Sequence, residues 1–274
     1  TRAVFGKGAK DEKELGKGVY KQYGVASEGF DICSIQFAIH YMFESQISLQ
    51  NFLRNVSETT KIGGYFIGTS YDGAAIFKML AGKKQGESVT IMEDGKKMWE
   101  VTKQYDRDEF PNNSSSIGYG IDVYQESINK TFKEYLVNYD YLTRLLENYG
   151  FVLLTREEAM NNKLPSSTGF FNDLYGVMTD EIKRNRRVAN EYGSAPRMTA
   201  NEKKISFLNR YFVYKKVRNV DAEKVAVNLL GTSLDDELDA EDESKKAQET
   251  VLNVMASTVV KPPKKKKLKL KLKE

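Results

Sequence analysis

Side chains that commonly perform acid–base, nucleophilic or metal chemistry are scarce in this sequence. Its 274 residues include one histidine, His40, and one cysteine, Cys33. One cysteine excludes an internal disulfide and a cysteine-based zinc site, and it fits a reducing, intracellular setting. No Ser-His-Asp or Cys-His arrangement has a recognisable setting, and the adjacent acids Glu157 and Glu158 are typical of a solvent-facing helix. Metal-dependent and histidine-based catalysis are therefore disfavoured.

Glycine-rich loops that hold phosphates or cofactors are a second source of chemistry. The pairs Gly6-Lys-Gly8 and Gly16-Lys-Gly18 stand near the start of the sequence. Neither follows a strand, and neither completes a dinucleotide-binding or P-loop pattern. Both are interpreted as ordinary loops.

The most regular pattern lies between residues 30 and 71. Phe30–Phe37 is a short apolar run that predicts a buried strand, and 43–60 has apolar residues at helical spacing. Gly63-Gly64 breaks this helix, and Tyr65–Thr69 predicts the next strand. Strand, helix and strand make a βαβ unit, whose parallel strands belong in a layered α/β sheet.

Beyond this unit the pattern changes to antiparallel strands. Residues 88–92 and 98–102 flank Asp94-Gly95 and predict a hairpin, with a third strand at 118–124. An amphipathic helix is predicted over 133–149, stopped by Gly150. The later predictions are strands at 151–155 and 210–216 and helices at 167–178 and 179–192.

The end of the sequence is unevenly charged. An acidic stretch between Asp221 and Glu249 precedes a dense lysine run that ends at Lys273. Blocks of like charge repel and bury little, so 221–274 is expected to be a flexible tail, with a transient helix within 247–259. The basic end suits phosphates, a membrane surface or an import receptor, or it has no fixed partner. No apolar run of about 18 residues and no signal peptide is visible, so no segment is expected to span a membrane.

The segment from Phe30 to Tyr71 resembles the mRNA cap guanine-N7 methyltransferases of eukaryotes and large DNA viruses. The resemblance joins F-D-I-C-S at the strand end, Q-F-x-x-H-Y, F-E-S at the helix start and G-G-Y-F-I-G-T on the next strand. Later, 132–137 resembles the family's E-[FY]-L-V segment, and Tyr211 resembles the tyrosine on its final strand. Residues 15–30 are more similar to the large-virus members than to the animal members. The similarity extends over about residues 10–217.

The resemblance implies roles for particular residues. Gln36 and Tyr41 lie on the side of the cofactor, S-adenosylmethionine (SAM). The methyl-accepting guanine is surrounded by His40, Tyr41, Glu134 and Tyr211, and Phe37 helps to form the pocket wall. The general rule that ligands sit beyond the carboxyl ends of strands in open α/β sheets agrees with the position of residues 36–41.

Elementary chemistry is compatible with these roles. Guanine N7 carries a lone pair at neutral pH, so methyl transfer needs no base, and the protein has only to align N7 and exclude water. No residue is therefore assigned as a catalytic acid or base. A carboxylate such as Glu134 accepts from N1–H and the 2-amino group, and tyrosines stack on a cationic 7-methylguanine.

Each assignment has a structural alternative. His40 alone is typical of a satisfied core histidine, and Tyr211 alternates with apolar neighbours as a packing residue does. Glu134 alone is a helix-surface acid, and Glu126 is a second match to the family's acid.

One departure from the family is large. The family's D-L-G-C-G-x-G loop, its ribose-binding acid and its upstream Lys and Asn contacts do not occur, and by position they precede residue 1. We expect 1–220 to be a partial Rossmann-like SAM-dependent methyltransferase domain of α/β class, with a small antiparallel insertion and a disordered tail over 221–274. We also expect this chain alone to bind SAM weakly or not at all, the activity belonging to a longer protein.

The function implied by the resemblance is methyl transfer from SAM to N7 of the guanine cap, with capped mRNA as partner. The expected location is the nucleus or a viral cytoplasmic factory. Whether other capping domains share the chain, and its oligomeric state, stay open. Two alternatives also stay open: an inactive methyltransferase-like module that binds RNA or protein, and a SAM enzyme with another substrate.

Overall fold

The computed structural model describes residues 2–231. Its helices are Glu12–Lys21 (α1), Gln46–Thr59 (α2), Gly73–Met79 (α3), Tyr139–Asn148 (α4), Arg156–Asn161 (α5), Phe171–Arg184 (α6), Ala200–Ser206 (α7) and 222–231 (α8). Its strands are Phe30–Gln36 (β1), Thr60–Tyr71 (β2), Ser88–Glu93 (β3), Lys96–Lys103 (β4), Gly120–Gln125 (β5), Lys130–Tyr135 (β6), Phe151–Leu153 (β7), Thr168–Phe170 (β8) and Asn209–Lys216 (β9). Short 3-10 helices lie at Arg2–Phe5, Ile39–Glu44, Ser114–Ser116, Arg186–Asn190 and Ala195–Arg197.

The predicted βαβ unit is present as β1, α2 and β2. The two strands are parallel, with Gln36 opposite Thr69, and α2 connects them. Ser45 caps α2 because its hydroxyl accepts from the Ser48 backbone N–H at 3.2 Å. Strand β9 continues the sheet on the other side of β2, antiparallel to it, and β7 and β8 both pair with β9. The chain is thus an α/β protein with a mixed five-stranded sheet.

Strand β1 forms the edge of this sheet, and the expectation that it is buried was wrong. Phe30 and Ile32 are 51% and 56% exposed, and five of the seven residues of β1 are exposed. The apolar run is suited to burial on both faces, but β1 has only β2 as a strand neighbour among the described residues. Apolar side chains therefore line an open sheet edge.

The antiparallel insertion is a separate four-stranded sheet in the order β3-β4-β5-β6. Its first turn is Asp94-Gly95, and both residues have positive φ, 49° and 77°, as a tight hairpin with Asp-Gly requires. The fourth strand, β6, was not predicted. The sequence predicts a helix from residue 133, but residues 130–135 pair with β5, with Glu134 opposite Ile121.

Helix α4 consequently begins at Tyr139, six residues later than predicted. Asn138 marks the true start, because its side-chain oxygen accepts from the Tyr141 backbone N–H at 3.0 Å. The end is as predicted: Gly150 has φ of +89°, and a Cβ on it would lie 2.3 Å from the Arg218 carbonyl oxygen. The two helices predicted over 167–192 are replaced by β8, helix α6 and the 3-10 helix Arg186–Asn190.

Residues 222–231 are helical, although they belong to the segment expected to be a tail. Ala222 and Ala226, one turn apart, are buried against the core between α2, α4 and the main sheet. Small apolar residues at this spacing give a helix one face to pack. The rest of the expected tail, with its acidic and lysine-rich blocks, lies outside the described residues. Within residues 2–231, no helix is long and apolar enough to cross a membrane.

Candidate functional site

A cleft of about 1020 Å³ lies where the carboxyl ends of β1 and β2 meet the insertion sheet. Its walls come from four parts of the chain: the segment after β1, the end of β2, strands β3 to β6 and the region from α7 to β9. The lining residues are Phe37, His40, Tyr41, Ser70, Tyr71, Glu93, Met98, Trp99, Val123, Gln125, Glu126, Ser127, Ile128, Phe132, Glu134, Glu202, Ile205, Ser206 and Asn209.

The segment after β1 is turned into the cleft by Phe37. This residue has φ of +50°, which non-glycine residues rarely adopt, and its N–H donates to the Thr69 carbonyl oxygen at 2.9 Å. The 3-10 helix that follows is anchored by the fully buried Ile39 and Phe43. Between these anchors, His40 and Tyr41 face the cleft, His40 being buried and Tyr41 44% exposed.

His40 meets Glu134, which projects from β6. The His40 Nδ1 atom lies 3.7 Å from the Glu134 Oε2 atom, too far for a strong hydrogen bond. Burial lowers the pKa of His40 to about 4 and raises the pKa of Glu134 to about 7. His40 is therefore neutral at pH 7, its Nε2 atom has no hydrogen-bond partner, and Glu134 titrates near neutrality.

Aromatic rings form much of the cleft wall, and two of them were missed by sequence reasoning. Trp99 Nε1 donates to the Tyr71 hydroxyl at 3.0 Å. Burial raises the pKa of Tyr71 to about 12, with a smaller contribution from the charge of Glu134. The hydroxyl of Tyr71 is thus un-ionised at pH 7, and the negative charge of Glu134 further disfavours its ionisation. The only sequence signal for these rings was their place at the end of β2 and on the predicted insertion.

Asn209, at the start of β9, is a third residue that the sequence did not single out. It is 94% buried, and its Nδ2 atom donates to the Ser206 carbonyl oxygen at 3.0 Å. This bond sets the orientation of the amide and leaves Oδ1 without a hydrogen-bond partner. A buried acceptor without a donor costs free energy unless a ligand or water supplies one.

Two of the expected site residues do not line the cleft. Tyr211 packs under β8, and its hydroxyl donates to the Ser166 carbonyl oxygen at 3.0 Å. Gln36 is exposed at the end of β1, where it donates to Ser34 and accepts from Thr69 at 2.9 and 2.8 Å. The structure therefore brings together His40, Tyr41 and Glu134, with Phe37 beside them, and leaves Gln36 and Tyr211 outside the cleft lining.

The charge of the cleft is one-sided. Four carboxylates line it, namely Glu93, Glu126, Glu134 and Glu202, and none of the lining residues in the described part of the chain is Lys or Arg. Glu126, the second match to the family's acid, is exposed, whereas Glu134 is 93% buried. Such a cleft suits a flat ligand that offers N–H donors to Glu134 and presents its faces to aromatic rings.

The sequence is similar to a known family and to several known proteins. The family model for the mRNA (guanine-N(7))-methyltransferase domain matches residues 8–220. The "Probable mRNA-capping enzyme" of Acanthamoeba polyphaga mimivirus is 26% identical over 241 residues, covering 81% of this chain and 20% of that protein. The "mRNA cap guanine-N(7) methyltransferase" of Candida albicans is 27% identical over 200 residues, covering 71% of this chain and 40% of that protein. The aligned part of the chain thus spans less than half the length of each of these two relatives.

The chain is also similar to a solved structure, that of the CcbJ methyltransferase from Streptomyces caelestis. The structural match covers 70% of this chain and 59% of the CcbJ chain. The two share 10% sequence identity with a TM-score of 0.36.

Proposed function

Because the chain belongs to the mRNA (guanine-N7)-methyltransferase family, we propose that its cleft binds the guanine of an mRNA cap for methyl transfer to N7. The observation that carries this proposal is the buried pair of His40 and Glu134 on the cleft wall. Capped RNA is the proposed substrate, and SAM the proposed methyl donor.

The proposed reaction needs positioning rather than proton removal. Guanine N7 has a free lone pair, so its attack on a methyl group requires alignment and the exclusion of water. A histidine with a pKa of about 4 is neutral at pH 7 and gives up no proton there. Its unpartnered Nε2 is available to a ligand as a donor or an acceptor, depending on the tautomer. His40 is therefore proposed to recognise the base.

Glu134 is proposed to distinguish guanine from other bases. Ionised, it accepts from both N1–H and the 2-amino group, two donors that adenine does not present in this arrangement. The buried surroundings that raise its pKa to about 7 also strengthen such bonds once they form. Guanine binding is then coupled to loss of the Glu134 proton.

The aromatic wall is proposed to hold the faces of the base. Tyr41 is exposed within the cleft, and Tyr71 and Trp99 are held together by their hydrogen bond. The product, 7-methylguanine, is a cation, which aromatic faces and the cleft carboxylates attract. The same charge distribution gives no favourable site for phosphate inside the cleft.

The methyl donor would lie at the carboxyl end of β1, beside the cleft. Gln36 and Tyr41 are proposed to contact it, as the family resemblance implies. They fit one side of such a ligand: Gln36 Nε2 has an N–H beyond its bond to Ser34, and the exposed ring of Tyr41 attracts a sulfonium. SAM supplies the methyl group, and the side chains named above orient the base that receives it.

The test is an assay of the protein expressed from its complete reading frame. Transfer of labelled methyl from SAM to GpppG-capped RNA is measured, and the methylated position is identified after nuclease digestion. Methyl at N7, with kcat/KM reduced at least about tenfold in His40→Ala, is the expected result, a loss of about 1.4 kcal/mol of transition-state stabilisation.

A matched pair of variants makes the test specific. Glu134→Gln and Glu126→Gln each neutralise one carboxylate of the same cleft, but only Glu134 is buried beside His40. We expect the first to lose activity strongly and the second to change it less than about threefold. Equal losses would contradict the proposed contact, and methylation at another position would contradict the proposed reaction.

A further inference from the structure

Four exposed arginines lie along one segment of the chain after β8. Arg184 ends α6, Arg186 and Arg187 open the next 3-10 helix, and Arg197 ends the following one. All four side chains are exposed. These four residues are called the arginine surface below.

Two of the three acids in the segment that carries the arginine surface are already engaged by other residues. Lys183 Nζ lies 2.8 Å from an oxygen of Asp180, and the Tyr192 hydroxyl donates to Glu181. Among the described residues, no ion pair includes any arginine of the surface. From 180 to 197 the chain has five basic residues and three acids, Glu191 being the third, so the segment carries net positive charge.

The segment that carries these arginines is folded. The Asn185 side chain accepts from the Arg187 backbone N–H at 3.2 Å and so caps the 3-10 helix. The bond between Tyr192 and Glu181 ties the return of the chain to the last turns of α6. The guanidinium groups thus project from a backbone with defined hydrogen bonds, which reduces the entropy lost when they bind a ligand.

The arginine surface is connected to the cleft at both of its ends. Helix α6 begins at Phe171, whose ring lies 6.0 Å from that of Phe37 on the cleft wall. Fourteen residues of α-helix place Arg184 about 20 Å from that end. Arg197 comes five residues before Glu202 of α7, which lines the cleft. The arginine surface is therefore continuous along the chain with two elements that contact or line the cleft wall, α6 and α7.

The charge of the cleft leaves the binding of RNA phosphates to other parts of the protein. The cleft lining includes four carboxylates and no Lys or Arg among the described residues. A capped RNA is a polyanion, whose affinity for proteins comes largely from cations that neutralise phosphates. Arginine is well suited to this because its planar guanidinium donates two parallel hydrogen bonds to phosphate.

We propose that the arginine surface binds phosphates of the RNA chain that follows the cap. The proposal rests on the proposed function, because it assumes that the base in the cleft is the end of an RNA. The lysines of α1, such as Lys13 and Lys17, are a rival basic surface. They alternate with Glu12 and Glu14, and α1 leads to the amino end of β1, the end away from the cleft.

The test measures binding of an uncapped, fluorescein-labelled 12-nucleotide RNA by anisotropy, with the protein expressed from its complete reading frame. Arg186→Ala/Arg187→Ala is expected to weaken binding about tenfold at 50 mM salt. The slope of log affinity against log salt should become shallower by about 1.4, which is about 0.7 for each lost phosphate contact on a single strand. Lys83→Ala/Lys84→Ala removes equal charge from another exposed loop and should change neither quantity appreciably.

Further arms separate this proposal from the proposed function. His40→Ala should bind the uncapped RNA normally, and the arginine variant should methylate the dinucleotide GpppG as the wild type does. If the wild type does not methylate capped RNA and the arginine variant alone loses RNA binding, the arginine surface is confirmed as an RNA-binding site and the proposed cap methylation is wrong. The proposed role of the arginine surface would be wrong if the arginine variant bound RNA as the wild type does. It would also be wrong if the Lys83/Lys84 variant lost as much binding, or if only Lys13→Ala/Lys17→Ala lost binding. Binding of a poly-glutamate peptide in place of RNA would overturn it too.

Discussion

His40 Nδ1 lies 3.7 Å from Glu134 Oε2, with the two side chains only 8% and 10% exposed. The histidine comes from the turn after the first strand and the acid from the last strand of the insertion, 94 positions later in the chain. Burial moves their pKa values in opposite directions, to about 4 and about 7. At pH 7 they are therefore a neutral base beside a half-ionised acid, and ligand binding decides the charge of the acid.

The pH dependence of cap binding follows from this. The ionised form of Glu134 accepts from guanine, so affinity for GpppG should rise with pH up to about 7 and level off above it. Below that point it should fall toward tenfold per pH unit, because one unit of pKa corresponds to about 1.4 kcal/mol. Titration of GpppG binding between pH 5.5 and 8.5 measures this. Glu134→Gln should remove the dependence and Glu126→Gln should keep it; a flat wild-type profile would contradict the assignment.

Stability should respond to the same buried acid with the opposite sign. The folded pKa of Glu134 is raised from 4.5 to about 7, so the folded state holds its proton more tightly and loses stability as pH rises from about 4.5 to 7. Neutral Glu134→Gln should therefore be more stable than the wild type by about 3 kcal/mol at pH 8 and by about 1 kcal/mol or less at pH 5. Urea unfolding at the two pH values measures the difference. A gap that does not grow with pH would exclude a buried, proton-binding Glu134.

The effect of His40 on the pH dependence of stability has the opposite sign to that of Glu134. Its folded pKa of about 4 lies below the usual 6.5, so its contribution is complete above pH 6.5 and is lost as pH falls toward 4. In the Glu134→Gln background, the stability lost between pH 6.5 and 5 should come mainly from His40, because acids such as Glu100, Glu158 and Glu223, whose pKa values are lowered by ion pairs, lose their contribution at lower pH. His40→Asn, placed in the same background, should flatten stability between pH 6.5 and 5, as measured by urea unfolding.

The bond between Trp99 and Tyr71 should be structural as well as part of the cleft. Tyr71→Phe leaves the buried indole N–H without an acceptor and should cost about 1–3 kcal/mol of unfolding free energy. Tyr105→Phe is the matched control, because the buried Tyr105 hydroxyl has no hydrogen-bond partner and its removal should be neutral or stabilising. Trp99 is the sole tryptophan, so its fluorescence reports both unfolding and cap binding. Equal destabilisation by both variants would contradict this account.

Asn209 lines the cleft, whereas Tyr211 packs outside it, and variants of the two should therefore differ in their effect on cap binding. Asn209→Leu keeps the branched shape but removes the unpartnered oxygen together with the amide donor to Ser206, and we expect it to weaken binding of GpppG about tenfold. Tyr211→Phe loses a bond to Ser166 outside the cleft, and it should cost about 1 kcal/mol of stability without changing cap affinity. Trp99 fluorescence quenching by GpppG measures both. Weaker GpppG binding in Tyr211→Phe, with unchanged binding in Asn209→Leu, would show that Tyr211 and not Asn209 contacts the cap.

Local sequence pattern was sufficient for the elements that depend on local contacts. The βαβ unit, the Asp94-Gly95 hairpin and the stop at Gly150 follow from helical spacing, strand composition and residues that tolerate positive φ. The sequence pattern gave wrong predictions where contacts with neighbouring strands override the local preference of the residues for helix or for burial. Residues 130–135 form a strand because β5 offers a partner, and β1 lies exposed because neighbours, not composition, decide burial.

For the site, the sequence by itself determined the residue types and the segment after β1. His40, Tyr41 and Glu134 were named from it as candidates, and all three line the cleft. Only the tertiary structure decided which partners meet. It brought Trp99, Tyr71 and Asn209 into the cleft and turned Tyr211 toward Ser166. The reason is physical: the face of a strand and the depth of a side chain depend on register and packing between segments far apart in the chain, and burial in turn sets the pKa values on which the chemistry depends.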